Sequence, residues 1–309
     1  MRTALSALES LELESQGGLD QIDQLMLTIA REGTIRGDRT DTGTVSIFGY
    51  DNALVFRDVG RVFPAVNKKK LAWRAMTSEL LWFLSRSTNL YDLKELLHGD
   101  RDSEKPTIWD ANYNNEGAAL GYTDGEMGEI YGYHMAAQLI RVMQQIQEYP
   151  EDRRLVMSNW QEDYLDRMTL PPCHGIHTQF YVSDGVLHLN TTMRSTDTFL
   201  GLPFNIASYS LMLIIVANML GLEPGNFKMY LLGDVHIYLN HLEQVLEYVS
   251  RPAQENKAYV IVPETLSMEG FRERRYSVDD FKLMDYEHRG SIRAPMAFKK
   301  NWLDVLICV

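Results

Sequence analysis

Cysteine is nearly absent from this chain: only Cys173 and Cys308 occur among its 309 residues. A disulfide framework needs more than one pair whose second member is the penultimate residue, so a cross-linked secreted scaffold is excluded and a reducing, cytoplasmic compartment is expected. Basic excess is absent too. Thirty Lys and Arg face 42 Asp and Glu, a formal net charge of -12. That mean field repels phosphate backbones and anionic headgroups, so neither nucleic acid nor a membrane is an expected partner. An anionic ligand must instead meet a local arginine cluster.

Long hydrophobic runs are also missing. The longest apolar stretch, Tyr209 to Leu222, is interrupted by Asn218; it is too short to cross a bilayer and reads as a core helix. The N-terminus has no basic region followed by an apolar core, and reads as a frayed acidic helix rather than a signal peptide. No repeat, low-complexity tract or Pro/Gly/Ser linker divides the sequence, so one domain over residues 1–309 is expected. No glycine-rich phosphate loop follows a strand. The eight histidines form no ligand-spaced group with the two cysteines, and no metal site is expected.

What is present is an ordinary globular composition, 45% hydrophobic and 23% charged, enough for a large core. Helical periodicity covers Leu19 to Glu32, Arg74 to Ser85, Tyr133 to Glu148, Ala207 to Gly221 and Ile237 to Ser250. Strand-like segments are Thr44 to Gly49, Gln179 to Val182, Val186 to Met193 and Ala258 to Val262, with Asp184-Gly185 as a hairpin turn. His98 to Pro106 reads as a polar loop insertion. Helices and strands mix without regular alternation, which favours an α+β fold around a mixed or antiparallel sheet.

Pro171-Pro172-Cys173-His174 places a thiol after a rigid diproline. By itself Cys173 is more often a small buried hydrophobe than a nucleophile; cationic neighbours that lowered its pKa would make it competent. Glu79 stands in an otherwise apolar helix, where a buried carboxylate needs a partner or a function.

Five segments carry a resemblance: GDRTDTGTVSIFG at 37–49, SELLWFL at 78–84, PPCH at 171–174, MRSTDTFLGLPFNIASY at 193–209 and GDVHIYLNH at 233–241. In this order they are similar to the thymidylate synthase family, and the similarity runs from about Leu19 to Ala297. The resemblance implies that family's α+β fold, a sheet face forming a homodimer interface, and folate-borne one-carbon transfer to C5 of dUMP. Residues 1–18 and 298–309 are then N- and C-terminal extensions.

Cys173 matches the nucleophile that adds to C6 of the pyrimidine. Glu79, Tyr131 and His174 match the groups that manage the C5 proton, and Asp197 matches the carboxylate at the pterin, although it could simply cap the next turn. Arg39, Arg194 and Ser195 resemble phosphate ligands of one subunit, while Arg153 and Arg154 resemble the pair reaching the other subunit's site. His236 and Tyr238 resemble the ligands of the sugar 3'-hydroxyl. Asn205 can accept from uracil N3–H and donate to O4, which argues for dUMP over dCMP; the competing reading is a cap on a helix beginning at Ile206. Lys69, Trp109, Leu200, Gly201 and Phe204 join Asp197 as the implied folate contacts, with methylenetetrahydrofolate as co-substrate. The Asn67 to Lys70 run could equally be a solvated strand edge.

Five departures cluster around the folate and the nucleophile. Tyr133-His134-Met135-Ala136 replaces the usual Gln-Trp-Arg; about Asn112 a second tryptophan is missing; Met193 replaces a glutamine; one extra residue lies between Cys173 and Gln179; and 12 residues follow Ala297. A dry, closed site gives hydride transfer and a methyl product, whereas an admitted water, oriented by His177 or His134, gives a hydroxymethyl product. On these departures a deoxyuridylate hydroxymethylase, as expected of viruses with modified thymine bases, is favoured over ordinary thymidylate synthase. The remaining alternative is an inactive dimeric scaffold, which the retained Cys173, Glu79, Asn205 and arginines argue against.

Overall fold

The computed structural model describes residues 2–11 and 20–297. Residues 1 and 12–18 of the first implied extension and all of residues 298–309 lie outside the described residues. The helices are α1 (Arg2–Ser10), α2 (Asp20–Glu32), α3 (Trp73–Leu84), α4 (Leu90–His98), α5 (Asp110–Asn112), α6 (Tyr131–Glu148), α7 (Gly201–Leu220), α8 (Leu242–Ser250) and α9 (Met268–Arg272). The strands are β1 (Thr34–Arg36), β2 (Thr44–Phe48), β3 (Leu54–Phe56), β4 (Val156–Met157), β5 (His174–Ser183), β6 (Val186–Asp197), β7 (Glu223–Tyr238), β8 (Tyr259–Ile261) and β9 (Lys282–Met284).

Seven strands form one sheet in the order β1-β2-β7-β6-β5-β4, with β3 also pairing β7. All pairs are antiparallel except β6 with β7. The fold is thus α+β with a mixed sheet. Alternation assigns the two faces: Phe180, Leu187, Leu189, Met193, Phe227, Met229 and Leu231 are buried, while Tyr181, His188, Asn190, Lys228, Tyr230 and Leu232 point the other way.

α7 covers the buried face. It begins at Gly201, six residues before the periodicity predicts, because Pro203 in the first turn lacks only an N–H that has no helical partner there. At 20 residues it is long and apolar enough to cross a membrane by composition alone, yet 72% of its most apolar window is buried against the protein, as a core helix requires. α3 packs against α6 at Gly132, where a Cβ would come within 2.0 Å of the Phe83 ring. That close approach brings the first residue of α6, Tyr131, up to the acid carried by α3.

Two segments differ from expectation. The Asp184-Gly185 hairpin forms as predicted, but Ile237 and Tyr238 end β7 and do not begin a helix. The lysine run is not a solvated strand edge: it is irregular backbone, and Lys68 and Lys69 are buried. Lys68 pairs with Asp23, and the Lys69 ammonium lies over the Phe199 ring and donates to the Phe199 carbonyl.

Candidate active site

Register builds the site. His174 faces Met193, Ser195 faces Asp234, Asp197 faces His236, and β2 sets Ser46 beside His236 and Thr44 beside Tyr238. Cys173, Arg194, Ser195, Asp197, His236 and Tyr238 therefore fall in one row at the carboxyl ends of the parallel pair β6–β7. Arg39 enters from the β1–β2 loop, which is organised by Asp38: its carboxylate accepts from the backbone N–H groups of Thr40, Thr42 and Gly43. Those bonds hold the Asp38 carboxyl below its ordinary pKa despite burial.

The thiol is pinned to its neighbours by backbone. The Cys173 carbonyl accepts from the N–H groups of Arg194 (3.0 Å) and Ser195 (3.4 Å), and Arg194 Nε donates to the Pro172 carbonyl at 2.6 Å. Cys173 keeps some solvent access. Even so, burial pushes its thiol up to about 11, Glu79 and Asp197 push the same way, and Arg194 only partly offsets them. The expected lowering by converging arginines is thus corrected. Arg153 and Arg154 stand exposed on the turn before β4, where Arg154 binds Asp152 with two donors and neither contacts this cluster among the described residues.

Behind the thiol lies a buried polar set. Glu79 accepts from Trp109 Nε1 at 2.6 Å, and burial raises its carboxyl to about 7. That shift disfavours the carboxylate by roughly 3 kcal/mol, so both protonation states are accessible near neutrality. Tyr131 packs edge-on against His174, with its hydroxyl 3.3 Å from Nε2. His174 Nδ1 is 2.9 Å from the Tyr209 hydroxyl, and burial lowers the imidazole to about 4, so it is neutral at pH 7.

Asp197 does cap the following turn, its Oδ1 accepting from the N–H groups of Phe199 and Leu200, but it remains partly open beside half-buried Leu200, Gly201 and Phe204. Asn205 is not a cap: it lies in the second turn of α7, half-buried, with no side-chain hydrogen bond among the described residues. His236 gives Nδ1 to Asp234 at 2.9 Å, and its buried Nε2 has no partner among the described residues. Lys69 and Trp109 both direct their N–H groups inward, to Phe199 and Glu79.

Sequence reasoning missed Tyr209, Asn159, Thr178 and Thr191. Tyr209 was within reach, since it follows Asn205 by four residues and shares its helix face. Thr178 and Thr191 meet only through strand pairing, and Asn159 reaches His174 from the irregular segment after β4. Among the described residues, no group of three or more His, Cys, Asp or Glu side chains could hold a metal ion.

The family model described as Thymidylate synthase matches residues 20–298. A protein of Enterobacteria phage T4 named Thymidylate synthase is 44% identical over 242 residues, covering 77% of this chain and 82% of its own. A Probable thymidylate synthase of Escherichia phage T5 is 40% identical over 285 residues, covering 90% of this chain and 100% of its own. The crystal structure of thymidylate synthase from T4 phage matches with a TM-score of 0.80 at 38% identity, over 92% of this chain and 100% of that one. Fold and family match together define a folate-dependent transferase of nucleotide biosynthesis that acts at C5 of dUMP. The chain belongs to the thymidylate synthase family. Methylenetetrahydrofolate is the co-substrate of that family, and a dimer is its typical assembly.

Proposed function

We propose that this enzyme converts dUMP to dTMP, with methylenetetrahydrofolate as one-carbon donor and reductant. The observation that carries the reading is the 44% identity to the phage T4 protein named Thymidylate synthase. Cys173 loses its proton and its sulfur bonds to C6, which sends an electron pair through C5 to the iminium carbon of the folate. The C5 proton then leaves, the bond to the folate nitrogen breaks, and an exocyclic methylene remains. Hydride from tetrahydrofolate makes it a methyl group, dihydrofolate departs, and the thiolate is expelled.

In this reading Arg39, Arg194 and Ser195 hold the phosphate, the unpartnered His236 Nε2 and Tyr238 take the 3'-hydroxyl, and the free Asn205 amide reads N3–H and O4. The carboxyl of Asp197 beside Leu200, Gly201 and Phe204 suits a flat, polar-edged pterin. Glu79, Tyr131 and His174 manage the C5 proton. The open sheet face, where Tyr181 and Leu232 are 64% and 59% exposed, suits a homodimer in which Arg153 and Arg154 serve the other subunit's site.

The hydroxymethyl reading has less support than the departures implied. Met193 is packed in the core at 1% exposure, and the one extra residue between Cys173 and Gln179 falls where the register shifts between His174 and Thr178. Mass spectrometry of the nucleotide formed from dUMP, with dihydrofolate absorbance followed in the same tube, tests the proposal. A methyl product with one dihydrofolate per turnover is expected; a hydroxymethyl product without dihydrofolate overturns it.

A further inference from the structure

Trp160 has no role in the reaction as described so far, yet its ring lies against the arginine whose backbone is bonded to Cys173. The irregular segment after β4 sets it there. Its backbone N–H donates to Ser158 Oγ at 3.2 Å, and Ser158 Oγ donates to the Ile176 carbonyl at 2.6 Å, within the register shift of β5. The indole N–H donates to Glu162 Oε2 at 2.8 Å. Held at its backbone and at its indole edge, the half-buried ring turns a face to Arg194, whose guanidinium carbon sits over it, 5.2 Å from the centroid.

Arg194 needs such a hold. It is exposed, it stands where the pairing of β6 with β7 shifts register, and a long side chain there has many rotamers to choose from. Its Nε donates to the Pro172 carbonyl at 2.6 Å and one Nη2 hydrogen goes to the Pro171 carbonyl at 3.4 Å. Of the five N–H groups of a guanidinium, three are left without a partner among the described residues. An aromatic face attracts a cation through its quadrupole, and it neither takes an N–H nor cancels the charge. A carboxylate in the same place would do both. Glu162, two residues on, is bound by the indole N–H rather than by Arg194. The undiminished charge has two uses: Arg194 opposes the burial, Glu79 and Asp197 that push the Cys173 thiol up, and it holds the phosphate in the proposed reaction.

We propose that Trp160 is a positioning residue whose ring face holds the Arg194 guanidinium in place for Cys173 and for the phosphate of dUMP, with its charge unpaired and three N–H groups left to donate. The proposal deepens the reading of Arg194 as a phosphate ligand beside a nucleophilic thiol, and rests on it.

The test compares Trp160→Leu, which removes the face, with Trp160→Phe, which keeps an aromatic face and loses the indole N–H, both in the full-length enzyme. Three quantities are read: Kd for dUMP, the inhibition constant of inorganic phosphate against dUMP, and the rate of Cys173 alkylation by iodoacetamide at pH 8 without ligand, followed at the Cys173 peptide by mass spectrometry. Below the thiol pKa that rate follows the thiolate fraction. In Trp160→Leu, dUMP and phosphate are expected to weaken together by about 3- to 30-fold, the scale of a lost cation–π contact, and alkylation to slow by about 3- to 10-fold. Trp160→Phe should lie closer to wild type than to Trp160→Leu in all three.

No change in any one of the three in Trp160→Leu overturns the proposal, and so does a Trp160→Phe enzyme as impaired as Trp160→Leu, which would mark a merely structural role for the indole. If Trp160→Leu does not fold, a tetrafluorinated tryptophan installed at position 160 alone keeps the shape and weakens the face; unchanged binding of dUMP and phosphate there overturns the proposal. A wild-type enzyme that binds no dUMP would instead overturn the reading of the site, while the alkylation rates still decide the contact between Trp160 and Arg194.

Discussion

Trp109 Nε1 donates to Glu79 Oε2 across 2.6 Å, a buried bond that ties α3 to the residue preceding α5. This bond opposes burial: it favours the carboxylate, and without it the acid would titrate higher than about 7. Trp109→Phe keeps the aromatic packing on Trp82, Phe83 and Tyr131 but removes the donor. The Glu79-dependent limb of the kcat–pH profile should move toward alkaline pH by about one unit. An unmoved limb would mean that Glu79 does not set it.

Glu79 and His174 act oppositely on stability within the same pH window. Burial raises the Glu79 carboxyl from 4.5 to about 7, so its contribution is fully present below pH 4.5 and lost as pH rises through 7. Burial lowers His174 from 6.5 to about 4, so its contribution is present above pH 6.5 and lost as pH falls through 4. The two slopes nearly cancel in wild type. Glu79→Gln should gain stability relative to wild type by up to roughly 3 kcal/mol as pH rises from 4.5 to 7, read from urea midpoints across that range. A difference independent of pH would contradict the raised carboxyl.

Much of this was legible in advance, and the failures have physical reasons. Buried runs such as Met76 to Leu84 and the Thr44–Phe48 strand declare themselves by period. The central strand β7 was missed because Pro224, Gly225 and Gly233 weaken strand propensity, and its alternation breaks where the register shifts opposite Met193 and Ser195. β5 was read only from Gln179 for the same reason: the bulge after His174 destroys the two-residue period. The residues that touch substrate in the proposed reaction stand in long motifs, whereas the partners of His174 come from three separate elements and carry no local mark. Charge was legible as a count only. Which arginine sits beside the thiol, and whether burial outweighs it, depends on strand register.

Gly175 has φ +67, and a Cβ there would lie 2.3 Å from both Asn159 Nδ2 and the Tyr209 hydroxyl. Both neighbours are held by hydrogen bonds, so neither yields without breaking one. Gly175→Ala should cost about 2–3 kcal/mol in urea unfolding, from strain plus a disrupted buried bond. Wild-type stability in this variant would show that the bulge is more pliable than its packing implies.

Asn205→Asp replaces an amide that can both accept and donate with a group that, ionised, only accepts. Turnover of dUMP should fall by at least about 100-fold, and binding should shift toward dCMP, whose exocyclic amine supplies the missing donor. Competition between the two nucleotides in one assay reads the change. Retained preference for dUMP would remove Asn205 as the base-reading group.

Shared sites can be tested by mixing inactive subunits. Cys173→Ala retains both arginines, and a double Arg153→Ala, Arg154→Ala chain retains the thiol. If each active site draws on two chains, a reassociated equal mixture regains about a quarter of wild-type activity, because half the dimers hold one intact site of two. Recovery near zero would place these arginines outside the partner's site.

Strand β7 pairs with β2, β3 and β6, so the sheet has its hub at residues 223–238, late in a chain of 309. During synthesis, β2 must wait roughly 190 residues for the partner that orders it. At about 5–20 residues per second this leaves β2 with only the short β1 beside it for some ten to forty seconds. Premature termination anywhere before Glu223 removes the hub itself, yielding exposed edges rather than a smaller working enzyme. Quality control in the cell therefore has a long interval in which to meet this protein unfinished, and a single late event, the arrival of β7, ends it.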